Sequence, residues 1–129
     1  MDKRRFYFKR FSVAHTRSSM KVGVDGVLVG AWADVSGCRR VLDVGCGCGV
    51  IALMCAQRAP EAVVTAIDVD ADSVDEAAAN FRESPWRDRL SALRCSLDEY
   101  LSRLSAGEDD DRRFDLVVSN PPFFNSGVE

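Results

Sequence analysis

Residues 41–49 read VLDVGCGCG, an apolar stretch that is typical of a buried strand and ends in three glycines at alternate positions. Residues 50–58 are apolar enough to form a buried helix, and Pro60 follows the end of that helix. Glycines between a strand and a helix let the backbone turn tightly and approach a ligand closely, since they carry no Cβ atom. The stretch predicts either a ligand-binding turn or a tight turn without a ligand, at the start of a βα unit.

The spacing of the glycines argues against a dinucleotide ligand. A dinucleotide-binding turn has the pattern G-x-G-x-x-G, whereas Gly45, Gly47 and Gly49 form G-x-G-x-G. Val50 stands at the position of the third dinucleotide glycine. Asp43, two residues before the first glycine, would repel a pyrophosphate. A carboxylate at this position suits a ligand that carries positive charge and hydroxyl groups.

Strands and helices are predicted to alternate over most of the chain. The predicted strands are 40–44, 63–69, 90–95 and 114–119, and the predicted helices between them are 50–58, 72–81 and 96–104. Because such strands are joined by right-handed crossovers, this order predicts an α/β fold with a parallel sheet and helices on both faces. Before the sheet we predict strands at 6–11 and 18–22, and a helix at 26–33 with Asp25 as its N-cap.

The composition indicates one globular domain. Of the 129 residues, 47% are hydrophobic and 29% are charged. The longest apolar stretches are too short to span a bilayer, and no apolar segment of signal-peptide length follows the basic first residues. We therefore expect a cytoplasmic protein without membrane contact. The five cysteines follow no zinc-binding spacing and His15 is the only histidine, so we predict free thiols and no metal site.

The net charge of −3 is unevenly distributed along the chain. Residues 1–40 carry nine Lys or Arg and three Asp, whereas residues 41–129 carry eight Arg and seventeen Asp or Glu. A basic segment on an acidic body suggests either a contact surface for a polyanion or ordinary charge scatter on a solvated surface. The first basic residues, which alternate with aromatic ones, are Lys3, Arg4, Arg5, Lys9 and Arg10. Phosphate-binding cations beside stacking surfaces would suit RNA; the alternative is that the aromatic residues form the core of the N-terminal hairpin, as we expect of at least two of them.

A second acid, Asp68, ends the next predicted strand 25 residues after Asp43. With the glycine pattern, it resembles the class I methyltransferases, which bind S-adenosylmethionine (SAM). The resemblance implies a Rossmann-like sheet, a glycine turn under the methionine part of SAM, an acid on the ribose hydroxyls, S-adenosylhomocysteine as the product and no metal. Ser96 stands where the family usually has an acid near the adenine, with Asp98 as the alternative. The implied cofactor residues are Asp43, Gly45, Gly47, Gly49, Asp68, Val69 and Ser96.

Residues 120–123 read NPPF directly after the last predicted strand. The motif resembles the N-P-P-[F/Y/W] motif of methyltransferases that act on amino groups of DNA, RNA or protein glutamine. It implies that the Asn120 side chain and the Pro121 carbonyl accept hydrogen bonds from the target amine, and that Phe123 stacks on the target base. Positioning the amine against an activated methyl group requires no strong base.

Other stretches narrow the resemblance. The segments FYFKRFSVAHTRSSMKVGVDGVLVGAWA and ESPWRDRL are similar to the bacterial tRNA(Val) adenine-N6 methyltransferases. This family implies methyl transfer to the N6 amine of an adenine beside the anticodon, with tRNA as the partner. It also implies that Lys21, Gly23 and Asp25 lie against the cofactor pocket. The alternatives are a protein glutamine N5-methyltransferase, or a module that binds SAM or RNA without turnover.

The resemblance predicts only part of a family sheet. The family has seven strands in the order 3-2-1-4-5-7-6, and this sequence supplies four of them, in the order 3-2-1-4. We therefore expect the N-terminal half of an enzyme, with residues 1–36 as a basic hairpin, helix, cofactor lid and RNA contact, and residues 37–129 as half of the SAM-binding domain. An uncovered strand edge invites pairing with another chain, so we expect self-association through the fourth strand.

Overall fold

In the part of the chain that the structure describes, a short antiparallel hairpin and five helical segments surround a four-stranded parallel sheet. The computed structural model describes residues 4–18, 22–107 and 114–120. The strands are β1 (Arg5–Tyr7), β2 (Ser12–Ala14), β3 (Arg40–Val44), β4 (Val63–Asp68), β5 (Leu90–Arg94) and β6 (Leu116–Ser119). The α-helices are α1 (Val24–Trp32), α2 (Val50–Arg58), α3 (Ala71–Glu83) and α4 (Leu97–Ser105), and a 3₁₀ turn spans Arg87–Arg89.

The sheet has the strand order β5-β4-β3-β6, which confirms the predicted order 3-2-1-4. All three pairings are parallel, and β3 lies in the middle between β4 and β6. Successive side chains of a strand point to opposite faces of the sheet. Along β3, Val41 belongs to the larger core, which α2 and α3 cover, and Leu42 to the smaller core, which includes Tyr100 and Leu104 of α4. The helices therefore cover both faces, as predicted.

The elements of the sheet lie close to their predicted bounds, and the differences have local causes. Helix α3 begins one residue early because the Asp70 side chain caps it by accepting a hydrogen bond from the Ser73 amide at 3.2 Å. Strand β6 begins two residues late. Before it, the Asp115 carboxylate accepts hydrogen bonds from the backbone amides of Arg39 and Arg40 at 2.6 and 3.0 Å.

The hairpin forms earlier in the chain than predicted: Ser18 and Val22 are not in a strand, and residues 19–21 of the predicted second strand at 18–22 lie outside the described residues. Strand β2, at residues 12–14, pairs with β1 in the register Arg5↔Ala14, Phe6↔Val13 and Tyr7↔Ser12. The turn comes earlier than predicted, at residues 8–11, where the Phe8 amide donates to the Phe11 carbonyl at 2.8 Å. Val13 is fully buried, so the short β2 strand is fixed by packing on the body of the protein.

Helix α1 begins earlier than predicted, and Asp25 is not its N-cap. The N-cap is Gly23, which has extended backbone angles and provides no side-chain hydrogen bond. Asp25 lies inside the first turn of the helix. Further along α1, a Cβ atom at Gly30 would lie 2.5 Å from Met54 Sδ, so the glycine allows α1 to pack closely on α2.

No helix within residues 4–18, 22–107 and 114–120 is both long and apolar enough to cross a membrane. The hairpin packs against α3, and α1 packs against α2. The division of the chain at residue 36 stays a prediction.

Candidate cofactor site

The turn between β3 and α2, which we call the glycine loop (residues 45–49), is a series of left-handed backbone positions. The φ angles of Gly45, Gly47 and Gly49 are 72°, 55° and 92°, a region that favours glycine because a Cβ atom clashes with the backbone there. The loop is anchored on the end of β4, where the amides of Gly45 and Cys46 donate to the Ile67 carbonyl at 2.9 and 3.0 Å. The sequence therefore forms a fixed concave turn at the carboxyl end of the central strand.

Asp68, at the end of β4, faces this loop. Its Oδ2 atom accepts a hydrogen bond from the Gly47 amide at 2.9 Å, and its Oδ1 atom accepts one from the Asp70 amide at 2.9 Å. A carboxylate oxygen has two lone-pair sites, so each oxygen can accept one more hydrogen bond. Because the side chain is only partly buried, Asp68 can receive hydrogen bonds from ligand hydroxyl groups beside the loop.

Asp43, two residues before the glycine loop, is fully buried. Neither of its carboxylate oxygens has an aligned hydrogen-bond partner among the residues that the structure describes. Burial raises the pKa of Asp43 to about 7; the nearby Ala52 amide opposes this shift and the charge of Asp68 adds to it. A buried carboxylate of this kind is stabilised by a ligand that brings positive charge or hydrogen-bond donors close to it.

A pocket at the carboxyl edge of the sheet joins three distant parts of the chain. It is lined by Gly23, Gly26, Gly45, Cys46, Gly47, Cys48, Val50, Ile51 and Asn120. Asn120 follows β6, and a Cβ atom at Gly26 would lie 3.3 Å from Asn120 Nδ2. A side chain at Gly26 would therefore crowd Asn120, and the glycine allows α1 to come close to the end of β6.

Four of the predicted site residues line this pocket together: Gly23, Gly45, Gly47 and Asn120. A Cβ atom at Gly45 would meet no atom within 4 Å, so the loop leaves open space at that point. The two predicted acids adjoin the loop but do not line the pocket. Asp43 lies two residues before the loop, and Asp68 accepts a hydrogen bond from the Gly47 amide. The glycine loop and Asn120 thus share one pocket, and the roles of the acids toward a cofactor stay predictions.

Three further predicted residues do not line the pocket. Gly49 is buried against α3, where a Cβ atom would lie 2.6 Å from the Phe81 ring, so its smallness serves the packing of the loop on that helix. Ser96 caps α4 in a capping box: its hydroxyl accepts from the Glu99 amide at 3.1 Å, and Glu99 Oε1 accepts from the Ser96 amide at 2.9 Å. Val69 is 64% exposed beyond Asp68. Their roles toward a cofactor stay predictions.

Some predicted residues fall outside the described part of the chain. These are Lys21, Pro121 and Phe123, and the side chain of Asp25. Their roles in the site stay predictions that the resemblance implies.

Sequence reasoning missed Gly26 and the two cysteines of the loop. A glycine inside a helix costs roughly 1 kcal/mol relative to alanine, so its presence in the α1 sequence was a usable signal of a close contact. Cys46 and Cys48 line the pocket, but both are buried. Burial raises the pKa of both thiols, that of Cys48 to about 11, so they are poor nucleophiles at neutral pH.

The chain matches a known protein family along most of its length. Residues 27–129 match the family described as methyltransferase small domain. The chain is 42% identical over 125 residues to the tRNA1(Val) (adenine(37)-N6)-methyltransferase of Escherichia fergusonii. The matched region covers 96% of this chain and 49% of that protein. The protein of the same name from Citrobacter koseri is 45% identical with the same coverage. The chain spans about half the length of the curated relatives it matches.

Solved structures show the same fold. A SAM-dependent methyltransferase from Agrobacterium tumefaciens has a TM-score of 0.69 at 16% identity, covering 92% of this chain and 39% of that chain. P. horikoshii TYW2, solved in complex with MeSAdo, has a TM-score of 0.57 at 19% identity, covering 71% of this chain and 35% of that chain. The predicted class I methyltransferase fold is confirmed, and the chain belongs to the methyltransferase small domain family.

Proposed function

We propose that this chain binds SAM and serves methyl transfer to the exocyclic N6 amine of an adenine in tRNA, beside the anticodon. The observation that supports the proposal most directly is the meeting of Asn120 with the glycine loop in one pocket. The similarity to tRNA adenine-N6 methyltransferases over 96% of the chain supports the choice of substrate. The cytoplasm, where tRNA is modified, is the compartment that this function implies.

The residues in and beside the pocket fit SAM by their chemistry. The glycine loop leaves space without Cβ atoms, the Asp68 oxygens can accept hydrogen bonds from ribose hydroxyls, and the buried Asp43 carboxylate favours a cationic ligand. When bound, SAM supplies a methyl group that its positively charged sulfur already activates. The chain itself then has to orient the amine, exclude water and leave the proton a way out.

Asn120 is the residue that orients the amine in this proposal. The lone pair of an aromatic amine is delocalised into the ring, so the amine is a poor nucleophile until its geometry changes. A carbonyl oxygen that accepts a hydrogen bond from the NH₂ group pulls the nitrogen toward a pyramidal geometry and directs its lone pair. The Asn120 side chain provides such an oxygen and lies partly exposed at the edge of the pocket.

The hairpin supplies the proposed contact with RNA. Two of the basic residues near the start of the chain serve intramolecular contacts. Arg5 binds Ser12 and Glu83, and Arg17 binds Asp72 and Asp75. Lys9 and Arg10 are exposed at the turn of the hairpin. With Tyr7, which is 43% exposed, they combine cations for phosphates with a ring for base stacking.

The proposal is tested by incubating the chain with labelled SAM and unmodified tRNA. We expect N6-methyladenosine in the tRNA, and we expect Asn120→Ala to lower its rate of formation by roughly a hundredfold or more with little change in SAM affinity. Ser119→Ala is the matched control. Ser119 directly precedes Asn120 in the sequence but does not line the pocket, and its hydroxyl donates to the Val44 carbonyl at 3.1 Å.

Two other outcomes would overturn the proposal, and a third would overturn the role of Asn120 in it. Label that appears only on glutamine of a protein substrate would identify a glutamine N5-methyltransferase. SAM binding without transfer to either substrate would identify a binding module without turnover. Equal losses for Asn120→Ala and Ser119→Ala would remove the special role of Asn120.

A further inference from the structure

Glu76 of α3 holds the backbone turn that follows the hairpin. Its Oε2 atom accepts hydrogen bonds from the amides of Thr16 and Arg17 at 2.8 and 3.0 Å and from the Thr16 hydroxyl at 3.2 Å. Its Oε1 atom accepts one from the Ser18 amide at 3.0 Å. The residue is 4% exposed. Burial would raise the pKa of Glu76, but the hydrogen bonds from these amides outweigh it and lower the pKa, so the side chain stays charged and bound.

Asn80, one helical turn further along α3, connects the hairpin to the glycine loop. Its Oδ1 atom accepts from the Ala14 amide at 2.9 Å, and its Nδ2 atom donates to the Ala14 carbonyl at 3.0 Å. The same Nδ2 atom donates to the Cys48 carbonyl at 2.8 Å. Asn80 is 1% exposed, so none of these bonds competes with bulk water. A single side chain therefore fixes the end of β2 against the loop that lines the pocket.

The turn held by Glu76 leads to the wall of the pocket. The Val22 amide donates to His15 Nδ1 at 3.2 Å, so Val22 is tied to the residue that precedes the turn. Gly23 and Gly26 follow and line the pocket together with residues of the glycine loop. The part of the lining that α1 supplies is thus tied to the hairpin through Val22 and His15, and Cys48 of the loop receives a hydrogen bond from Asn80.

We propose that Glu76 and Asn80 are positioning residues for the cofactor, which hold the segment carrying Gly23 and Gly26 in register with the glycine loop. Neither residue lines the pocket, so each acts through the backbone that it binds. The inference rests on the proposed binding of SAM. If release of the segment leaves only a fraction of molecules with a closed pocket, the apparent dissociation constant rises by the inverse of that fraction.

The test uses calorimetric titration of the whole chain with S-adenosylhomocysteine. Glu76→Gln keeps the size of the side chain but places an NH₂ group against backbone donors, and we expect its dissociation constant to rise about tenfold or more. Asn80→Ala is expected to weaken binding similarly. Glu61→Gln is the matched control, since it makes the same chemical change at an exposed residue that does not line the pocket. Leu104→Ala controls for a general loss of stability, because Leu104 is buried in the core on the other face of the sheet.

A second measurement needs no variant. Coupling between two sites is reciprocal, so a cofactor that binds better when the turn is held must in turn hold the turn more firmly. We expect S-adenosylhomocysteine to slow hydrogen exchange at the amides of Thr16, Arg17 and Ser18 in the unmodified chain. An unchanged dissociation constant in folded Glu76→Gln, or exchange at these amides that does not respond to the ligand, would overturn the inference alone. A chain that fails to bind the ligand at all would overturn the proposed function as well.

Discussion

The Asp43 carboxylate makes the stability of this fold depend on pH. Its pKa of about 7 in the folded chain lies above its ordinary value of 3.8. Between these values the folded chain keeps a proton that the unfolded chain loses, so the free energy of unfolding falls as the pH rises through this window. The shift corresponds to roughly 4 kcal/mol as an upper limit.

We expect Asp43→Asn to remove this pH dependence. The variant has no group to ionise, so without ligand it should be more stable than the unmodified chain near pH 8 and differ less from it near pH 5, as urea unfolding at both pH values would show. Asp75→Asn, which changes an exposed acid, should leave the pH dependence as it is. Parallel stability curves for Asp43→Asn and the unmodified chain would show that Asp43 does not titrate as described.

The packing of α1 on α2 depends on the absence of a side chain at Gly30. A Cβ atom there would lie 2.5 Å from Met54 Sδ and 3.0 Å from Met54 Cβ, so Met54 has to move or the helices have to separate. We expect Gly30→Ala to lower the free energy of unfolding by about 1 to 2 kcal/mol, although alanine favours the helix. Because Gly26 lies on the same helix, SAM binding should weaken too.

A double-mutant cycle with Met54→Ala tests the cause of that loss. Met54→Ala removes the Sδ atom and leaves only the Cβ atom at 3.0 Å, so Gly30→Ala should then lower the free energy of unfolding much less than it does in the unmodified chain. An equal loss in both backgrounds would assign the effect to another contact. Urea unfolding of the four proteins provides the comparison.

The helices and strands differ in how far local patterns predict them. Those of the sheet were predicted to within two residues, because strands and helices alternate and glycines, caps and prolines mark their ends. The strands of the hairpin were not predicted to that accuracy. β1 and β2 have only three residues each, and the end of β2 at Ala14 is held by Asn80, which lies 66 residues further along the chain. The meeting of Asn120 with the glycine loop followed from parallel strands that end at one edge, whereas the approach of Gly26 depends on helix packing that no local pattern reveals.

Strand β6 is an outer strand of the sheet that the described residues form. Within the described part of the chain, β6 pairs with β3 alone, and Val117 of β6 is 57% exposed. Trp32 of α1 adds an apolar side chain that is 80% exposed. Unpaired strand edges with apolar side chains pair readily with other chains.

We expect this chain to self-associate through β6. Light scattering should show a mass that rises with protein concentration, and Val117→Lys should shift the chain toward monomer because a lysine on an edge strand opposes pairing. Val63→Lys is the control, since Val63 is a comparably exposed strand residue, at 49%, on an inner strand. A monomer at all concentrations would contradict the expectation, and equal effects of the two lysines would place the contact elsewhere.

The hydrogen bonds of α3 also set an order of events during synthesis. The hairpin leaves the ribosome before α3, because Glu76 and Asn80, which hold the hairpin and its turn, follow about 60 residues later. Until this part of the chain has emerged, the Phe11 ring lacks the Trp86 ring that it meets edge-on at 5.4 Å, and the glycine loop lacks the donor that binds its Cys48 carbonyl. Contacts that join distant parts of a chain form late. A nascent chain that stalls before residue 80 would therefore expose an aromatic hairpin, which is the kind of surface that chaperones bind.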